Sequence, residues 1–309
     1  MKYIVTGGAG FIGSHIVEYL AKNNNEVVAI DNLFSGTLEN IGTFLKKDSV
    51  TFVQGSITDI NLLTKIFDGA DGIFHEGAIA SVPRSIADPL ATNETNITGT
   101  LNVLIAAKEC GVRKIVFASS SAVYGDAPSL PKREDMEPYP LSPYAISKLT
   151  GEWYMRVFYE LYGIKTVSLR YFNVFGPRQD PNSEYAAVIP KFITKILNHQ
   201  SPVIYGDGGQ TRDFVYIRDV VQGNIRAMER SVQGVFNIAC NQRIDLNTLA
   251  KMIMDITGNS VPITYEPAHQ GDIRDSFADI SLAKTKFDYN PSYTIKTGLM
   301  ETIAWYRNR

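Results

Sequence analysis

Lys2-Tyr3-Ile4-Val5-Thr6 runs without interruption into Gly7-Gly8-Ala9-Gly10-Phe11-Ile12-Gly13, and this stretch decides how the chain is read. Lys2–Thr6 has the length and apolar content of a buried strand, and Phe11–Lys22 has the periodicity of a helix. Glycines between such elements permit a tight turn, close backbone approach to a pyrophosphate and close helix–strand packing. The N-terminus of the helix offers unpaired N–H groups and the positive end of its dipole to an anion. A glycine-rich turn alone is weak evidence. This one sits in the strand–turn–helix context that dinucleotide binding requires. The next strand, Glu26–Ile30, ends at Asp31, about 20 residues on, where a carboxylate can accept from both adenosine ribose hydroxyls and repel an added phosphate. The plain alternative for Asp31 is a turn or cap residue. Glycines, strand end and carboxylate together favour NAD over NADP.

Working outward, strands alternate with helices. Val50–Gln54, Gly72–His75, Lys114–Ser119 and Lys165–Tyr171 read as strands; Ile60–Phe67, about Pro89 to Cys110, and Pro143–Tyr162 read as helices, the last capped by Ser142. That alternation predicts a doubly wound, Rossmann-type α/β fold with a parallel sheet covered on both faces. After Asn173 the prolines multiply and the elements shorten. We therefore expect a dinucleotide-binding domain over 1–172 and a smaller α/β substrate-binding lobe over 173–309, with segments near 213–240 packing back on the first.

With 309 residues, 44% hydrophobic and 20% charged, the chain can bury a substantial core. A formal net charge of −2 gives no basic footprint for nucleic acid. Cys110 and Cys240 are too few for a disulfide framework, and four scattered histidines suggest no metal site. No apolar run is long enough to cross a bilayer, so cytoplasm is the default expectation.

The chemistry-bearing residues come next. Ser119-Ser120-Ser121 stand at the carboxyl end of the fifth strand, where such folds put ligands, and Tyr144 and Lys148 lie four apart on the following helix. Each alone is ordinary, since serines satisfy strand ends and Tyr/Lys pairs decorate surfaces. Their order after a dinucleotide loop is far more specific. A tyrosine of pKa ~10 needs a drop of roughly 3 units, about 4 kcal/mol, to act as a base near neutrality. A lysine at ~4 Å in an effective dielectric of ~20 supplies about that much, before desolvation of the phenolate is set against it, and a positive nicotinamide ring acts in the same direction.

The motifs TGGAGFIGSH, FASSSAVYG, SPYAISK, RYFNVFGPRQDP, YAAVIPKF and YGDGGQTRDFVYIRD span nearly the whole chain. With them the sequence resembles the extended short-chain dehydrogenase/reductases, within them the NAD-dependent nucleotide-sugar epimerases and dehydratases, and most closely the UDP-N-acetylglucosamine and UDP-glucose 4-epimerases. The resemblance implies that Tyr144 takes the proton of the sugar 4-hydroxyl while hydride passes from carbon 4 to NAD, and that the 4-keto sugar turns over and is reduced on its other face. Ser120, with Ser121 beside it, would hold the reacting oxygen, and Lys148 the nicotinamide ribose. It further implies cofactor contacts from Gly7, Gly10, Phe11, Ile12, Gly13, Asp31, Asn32, Ser35, Gly36, Ser56, Ile57, Gly77, Ala78, Asn96 and Tyr171, with Phe172 nearby. Arg212 resembles a pyrophosphate clamp, Asn173 and Val188 match diphosphate-contacting positions, and Tyr205 and Asp272 match positions near the uridine. Ser81, Gln179, Ala187 and Ser276 match the sugar pocket. A homodimer built on the two long helices is the family's usual assembly.

Some positions depart from the pattern. Ser56 replaces a common aspartate, and His269 a common arginine. His75-Glu76-Gly77-Ala78 replaces a more apolar stretch, in which Glu76 is expected to face away from the cofactor. Ser121 and Ala122 stand where a 4,6-dehydratase carries Asp-Glu, which disfavours dehydration. Asp180 would repel a sugar carboxylate, so a neutral hexose fits better than a glucuronate. A serine at Ser276, where plain-hexose relatives often carry tyrosine, leaves room for an N-acetyl group. A catalytically dead NAD-sensing protein is disfavoured because Tyr144 and Lys148 are both present.

Overall fold

In the computed structural model, which describes residues 1–181, 187–268 and 274–308, the chain begins β1 (Lys2–Thr6), α1 (Phe11–Lys22), β2 (Glu26–Asp31), β3 (Val50–Gln54), α2 (Ile60–Phe67) and β4 (Gly72–His75). It continues through α3 (Val82–Ala87), α4 (Pro89–Asn93), a π turn (Glu94–Thr98), α5 (Gly99–Glu109), β5 (Lys114–Ser120), α6 (Pro143–Tyr162) and β6 (Lys165–Tyr171). Beyond lie β7 (Val174–Phe175), α7 (Val188–Leu197), β8 (Val203–Tyr205), β9 (Thr211–Arg212), β10 (Val215–Tyr216), α8 (Ile217–Glu229) and β11 (Gly234–Ile238). The chain closes with β12 (Ile244–Asp245), α9 (Leu246–Thr257), β13 (Thr264–Glu266), α10 (Ser281–Phe287) and α11 (Ile295–Arg307).

Seven strands form one parallel sheet in the order β11-β6-β5-β4-β1-β2-β3. The strands are apolar and buried because helices cover both faces. On one face Leu63 and Phe67 of α2, Val103 and Leu104 of α5, and Met155 and Phe158 of α6 pack on Ile73, Ile115 and Phe117. On the other, Ile16, Val17 and Leu20 of α1 and Val220 and Ile225 of α8 pack on Val5, Phe74 and Val167. The chain reverses direction across the sheet between β1 and β4, and a crevice opens there at the carboxyl ends of the strands. This is the expected doubly wound fold. Its seventh strand, β11, is supplied by residues that follow the short elements β7 to β10. Val215–Tyr216 pairs instead with β7.

The long helix expected from Pro89 to Cys110 is interrupted. Its middle winds as the π turn Glu94–Thr98, and a further short helix, α3, precedes it. The π turn carries Asn96, whose amide is fully engaged: Oδ1 accepts from Ile79 N at 2.8 Å, and Nδ2 donates to Ile79 O at 3.1 Å and Ser147 Oγ at 3.0 Å. Those bonds tie the segment after β4 to α6, and helix irregularities of this kind mark functional sites.

Candidate active site

The glycine loop forms the floor of a cavity of about 440 Å³ whose wall includes Gly7, Gly10, Phe11, Ile12, Gly13 and Asp31. Gly7 has φ +65°, and a Cβ there would lie 2.8 Å from Gly77 N. A Cβ at Gly13 would meet Gly7 O at 2.1 Å, so α1 can approach β1 this closely only with glycine. Asp31 is buried at the end of β2. Its Oδ2 accepts from Ala9 N at 3.1 Å and its Oδ1 from Leu33 N at 2.8 Å, while burial pushes the carboxyl above its ordinary value. Asn32, Ser35, Ser56, Ile57, Gly77 and Ala78 line the same cavity, with the Ser56 hydroxyl held 2.8 Å from Thr58 Oγ1. A glycine cradle that a single methyl group would fill, a helix N-terminus and a strand-end carboxylate together fit a dinucleotide. Asn96 and Gly36 are not part of this wall. Asn96 acts as the clamp described above, and Gly36 packs beside Ala9 and Asp31.

At the other end of the cavity stand Tyr144, Lys148 and Tyr171. α6 begins with Ser142, whose side chain accepts from Ala145 N at 3.2 Å, and with Pro143 in the first turn. That cap fixes the first turn of the helix, from which Tyr144 faces Ser120, whose hydroxyl favours the phenolate. Ser120 ends β5 and also accepts from Ala122 N at 3.1 Å, whereas Ser121 opens the following 3₁₀ turn. Lys148 donates to Ala118 O at 2.8 Å, and its ammonium lies 5.9 Å from the Tyr144 ring centre and 5.1 Å from that of Phe117. Burial pushes Lys148 down to about 8, partly opposed by Glu76.

Burial holds the Tyr144 phenol above its ordinary value, Ser120 eases it, and Glu76 raises it further. One expectation needs correction here: Glu76 does not face away. It lines the cavity, and its Oε1 accepts from the Tyr171 hydroxyl at 2.9 Å. Burial pushes this carboxyl up to about 7, against the pull of Tyr171 and Lys148.

The neighbouring His75 points to the opposite face of the sheet. Thr100 Oγ1 gives its proton to Asn96 O at 2.6 Å, so it accepts from His75 Nε2 at 2.9 Å. Nδ1 then accepts from Thr6 Oγ1 at 2.7 Å, and that oxygen receives Gly77 N–H at 3.1 Å. Burial holds the ring neutral, with its pKa down to about 3. His75 thus packs and pins the turn at Gly77. The cavity also includes Phe34, Arg84, Thr92 and Thr95, which no sequence motif marks; Arg84 stacks on Phe34 at 4.2 Å. Only a contact between α3 and the segment after β2, distant in sequence, links that pair, and no spacing rule finds it.

The expected substrate residues lie outside this cavity wall. Ser81 caps α3 by accepting from Arg84 N, and Ala187 and Val188 open α7. Asn173 Nδ2 donates to Asp213 O at 3.2 Å, and Gln179 Nε2 to Val174 O at 3.2 Å. The structure does bring Arg212 and Ser276 together along β9. Arg212 Nη1 reaches Arg274 O at 3.2 Å, and Ser276 N donates to Thr211 O at 3.0 Å. Tyr205 ends β8 nearby, its carbonyl accepting from Gln210 Nε2. Asp272 and His269 lie outside the described residues. No helix among the described residues is long and apolar enough to cross a membrane.

Residues 3–239 match the NAD dependent epimerase/dehydratase family. The chain belongs to that family. A UDP-N-acetylglucosamine 4-epimerase from Methanobrevibacter ruminantium M1, solved with UDP-N-acetylmuramic acid, is 44% identical, with a TM-score of 0.96 over 99% of this chain and 98% of that one. The UDP-glucose 4-epimerase of Thermotoga maritima, solved with UDP-glucose, is 38% identical, with a TM-score of 0.95 over 100% and 99%. A UDP-glucuronic acid 4-epimerase from Bacillus cereus, solved with UDP-glucuronic acid and NAD, is 33% identical, with a TM-score of 0.93 over 100% and 99%. NAD is thus the cofactor of the family, and these three relatives are UDP-sugar 4-epimerases. They divide over the sugar.

Proposed function

We propose that the protein is a UDP-hexose 4-epimerase that interconverts UDP-glucose with UDP-galactose and UDP-N-acetylglucosamine with UDP-N-acetylgalactosamine. The observation that carries this reading is the cavity that Tyr144 and Lys148 share with the glycine loop and Asp31, with Ser120 facing the Tyr144 phenol.

When bound, NAD supplies reversible hydrogen acceptance at sugar carbon 4, which makes a 4-keto sugar the transient species. The glycine loop and the first turn of α1 would hold its pyrophosphate, Asp31 the adenosine ribose, and Lys148 the second ribose. Tyr144 removes the proton from the 4-hydroxyl and later returns it; Ser120 holds that oxygen and the phenol in line. Arg212, whose forked guanidinium suits two phosphate oxygens, would hold the diphosphate with Asn173 and Val188, while Tyr205 and Asp272 would meet the uridine. Ser81, Ser121, Gln179 and Ala187 would line the sugar, with Ser276 as the gate that admits an N-acetyl group. On α6 the exposed Ile146, Trp153, Val157 and Leu161 recur at helical spacing, which supports pairing of two copies through this face.

The test is incubation of purified protein, without added NAD, with UDP-glucose and separately with UDP-N-acetylglucosamine, resolving the 4-epimers by chromatography. Conversion of both is expected, and conversion of neither, even with NAD supplied, overturns the reading. A third arm with UDP-glucuronate addresses the sugar of the Bacillus cereus relative. It should fail, because Asp180 would repel the carboxylate and the nearby Arg178 is already paired with Glu18. Ser276→Tyr should cost N-acetyl substrates about 10- to 200-fold while sparing UDP-glucose. Equal losses on both sugars would remove Ser276 from the gate.

A further inference from the structure

Glu76 follows β4 directly, and its backbone N–H donates to Thr6 O at 3.2 Å, beside the glycine loop. Its side chain shares the face of Phe74, toward α8, and reaches the cavity wall. The orientation of the carboxyl is fixed from behind. Asn224 Nδ2 donates to Val220 O at 3.0 Å and to the Tyr171 hydroxyl at 2.8 Å, and the Tyr171 proton has two acceptors in reach, Glu76 Oε1 at 2.9 Å and Asn224 Oδ1 at 3.0 Å. Among the described residues no cation is hydrogen-bonded to this carboxyl, because the nearest ammonium, Lys148, is held on Ala118 O.

We propose that Glu76 is a positioning residue that acts through Tyr144 and Lys148: held on the Tyr171 hydroxyl in the cavity wall, its carboxylate presents a negative charge to the pair and thereby sets the pH range of turnover. This rests on the reading of Tyr144 as the base. The groups facing Glu76 are Tyr144 and Lys148 from α6, Tyr171 from β6 and the uncharged Asn224 from α8, while His75 on the opposite face is neutral. The signs follow from Coulomb's law. A negative charge opposes the phenolate and raises Tyr144; it favours the ammonium and raises Lys148. Glu76 is itself raised to about 7, so this charge appears as the pH passes neutrality.

The experiment compares the pH dependence of kcat/KM for wild type, Glu76→Gln and Glu76→Asp, with NAD supplied, on whichever of UDP-glucose and UDP-N-acetylglucosamine the wild type converts. Both limbs of the Glu76→Gln profile should move to lower pH. Relative to its own maximum, that variant should then run about threefold or more faster than wild type on the part of the acid limb above neutrality, where the wild-type carboxylate is charged. Glu76→Asp, which keeps the charge, should hold the wild-type profile. A second readout needs no turnover: the ultraviolet signal of the Tyr144 phenolate, taken as the difference between each protein and its Tyr144→Phe counterpart, should appear at lower pH in Glu76→Gln. Tyr171→Phe covers a poorly folding Glu76→Gln, since removing the donor leaves the carboxyl neutral over a wider range and should shift both limbs the same way. A uniform loss of activity with limbs and phenolate signal unmoved makes Glu76 merely structural and overturns the inference alone. Wild-type protein that converts no UDP-sugar overturns the epimerase reading and this inference with it.

Discussion

Glu152 and Glu76 are two interior carboxylates within reach of the same helix and the same strands, yet the protein treats them in opposite ways. Glu152, one turn beyond Lys148 on α6, takes the Arg170 guanidinium on both oxygens, Nε to Oε1 at 2.9 Å and Nη2 to Oε2 at 2.7 Å, and the Ser119 hydroxyl as well. Arg170 in turn stacks on Tyr124 at 4.6 Å. Glu76 has a neutral phenol and no guanidinium. A forked cation grips the first, joining α6 to the ends of β5 and β6. The second keeps a charge that depends on pH, and it lines the cavity. What an interior carboxylate does depends on its partners.

The sharpest test of this contrast removes the group on which Glu76 acts. Tyr144→Phe should lower kcat by about a thousandfold while NAD is retained, and turnover near the wild-type rate would take the base away from the site. Glu152→Gln leaves Arg170 buried without its counter-charge and should cost about 3–5 kcal/mol in chemical denaturation. Its pH–rate profile should keep the wild-type limbs; a moved profile would erase the distinction between the two carboxylates.

Glu76→Gln should change stability only through pH. A carboxyl raised to about 7 in the folded chain, against ~4.3 unfolded, contributes stability that is full at acid pH and lost as pH rises through 7. The variant lacks that loss. Its melting temperature should therefore gain on wild type between about pH 4 and 7 and hold the gain above, and a difference independent of pH would contradict the buried titration. The smallest effect belongs to the scaffold: Ser142→Ala removes the cap of α6 for about 1 kcal/mol, a loss that should be the same across pH.

Much of this was legible in the sequence. β1, the glycine loop and α1 could be read because their chemistry is local. The same holds for Ser142 capping α6 and for Tyr144 and Lys148 four residues apart. What escaped depends on contacts between distant segments. The residues from Pro89 to Cys110 have the character of one helix, and the π turn arises because Asn96 must reach Ile79 and Ser147. Alternation along β4 puts His75 and Glu76 on opposite faces, but it does not say which face carries the cavity. Helical spacing puts Lys148 on the same face as Tyr144. The acceptor of its ammonium, Ala118 O, lies on a strand 30 residues earlier and is invisible at the level of a four-residue spacing.

The late arrival of β11 bears on how the molecule comes into being. Chain growth delivers β6 long before residues 234–238, which cover its outer edge. Throughout that interval the nascent sheet would present an open ladder of N–H and C=O groups, the surface on which chains stick to one another. A fragment ending near residue 172 should inherit the same exposure permanently and precipitate, however complete its dinucleotide loop. The short elements between β6 and β11 are thus a detour that the chain must finish before its main sheet is sealed.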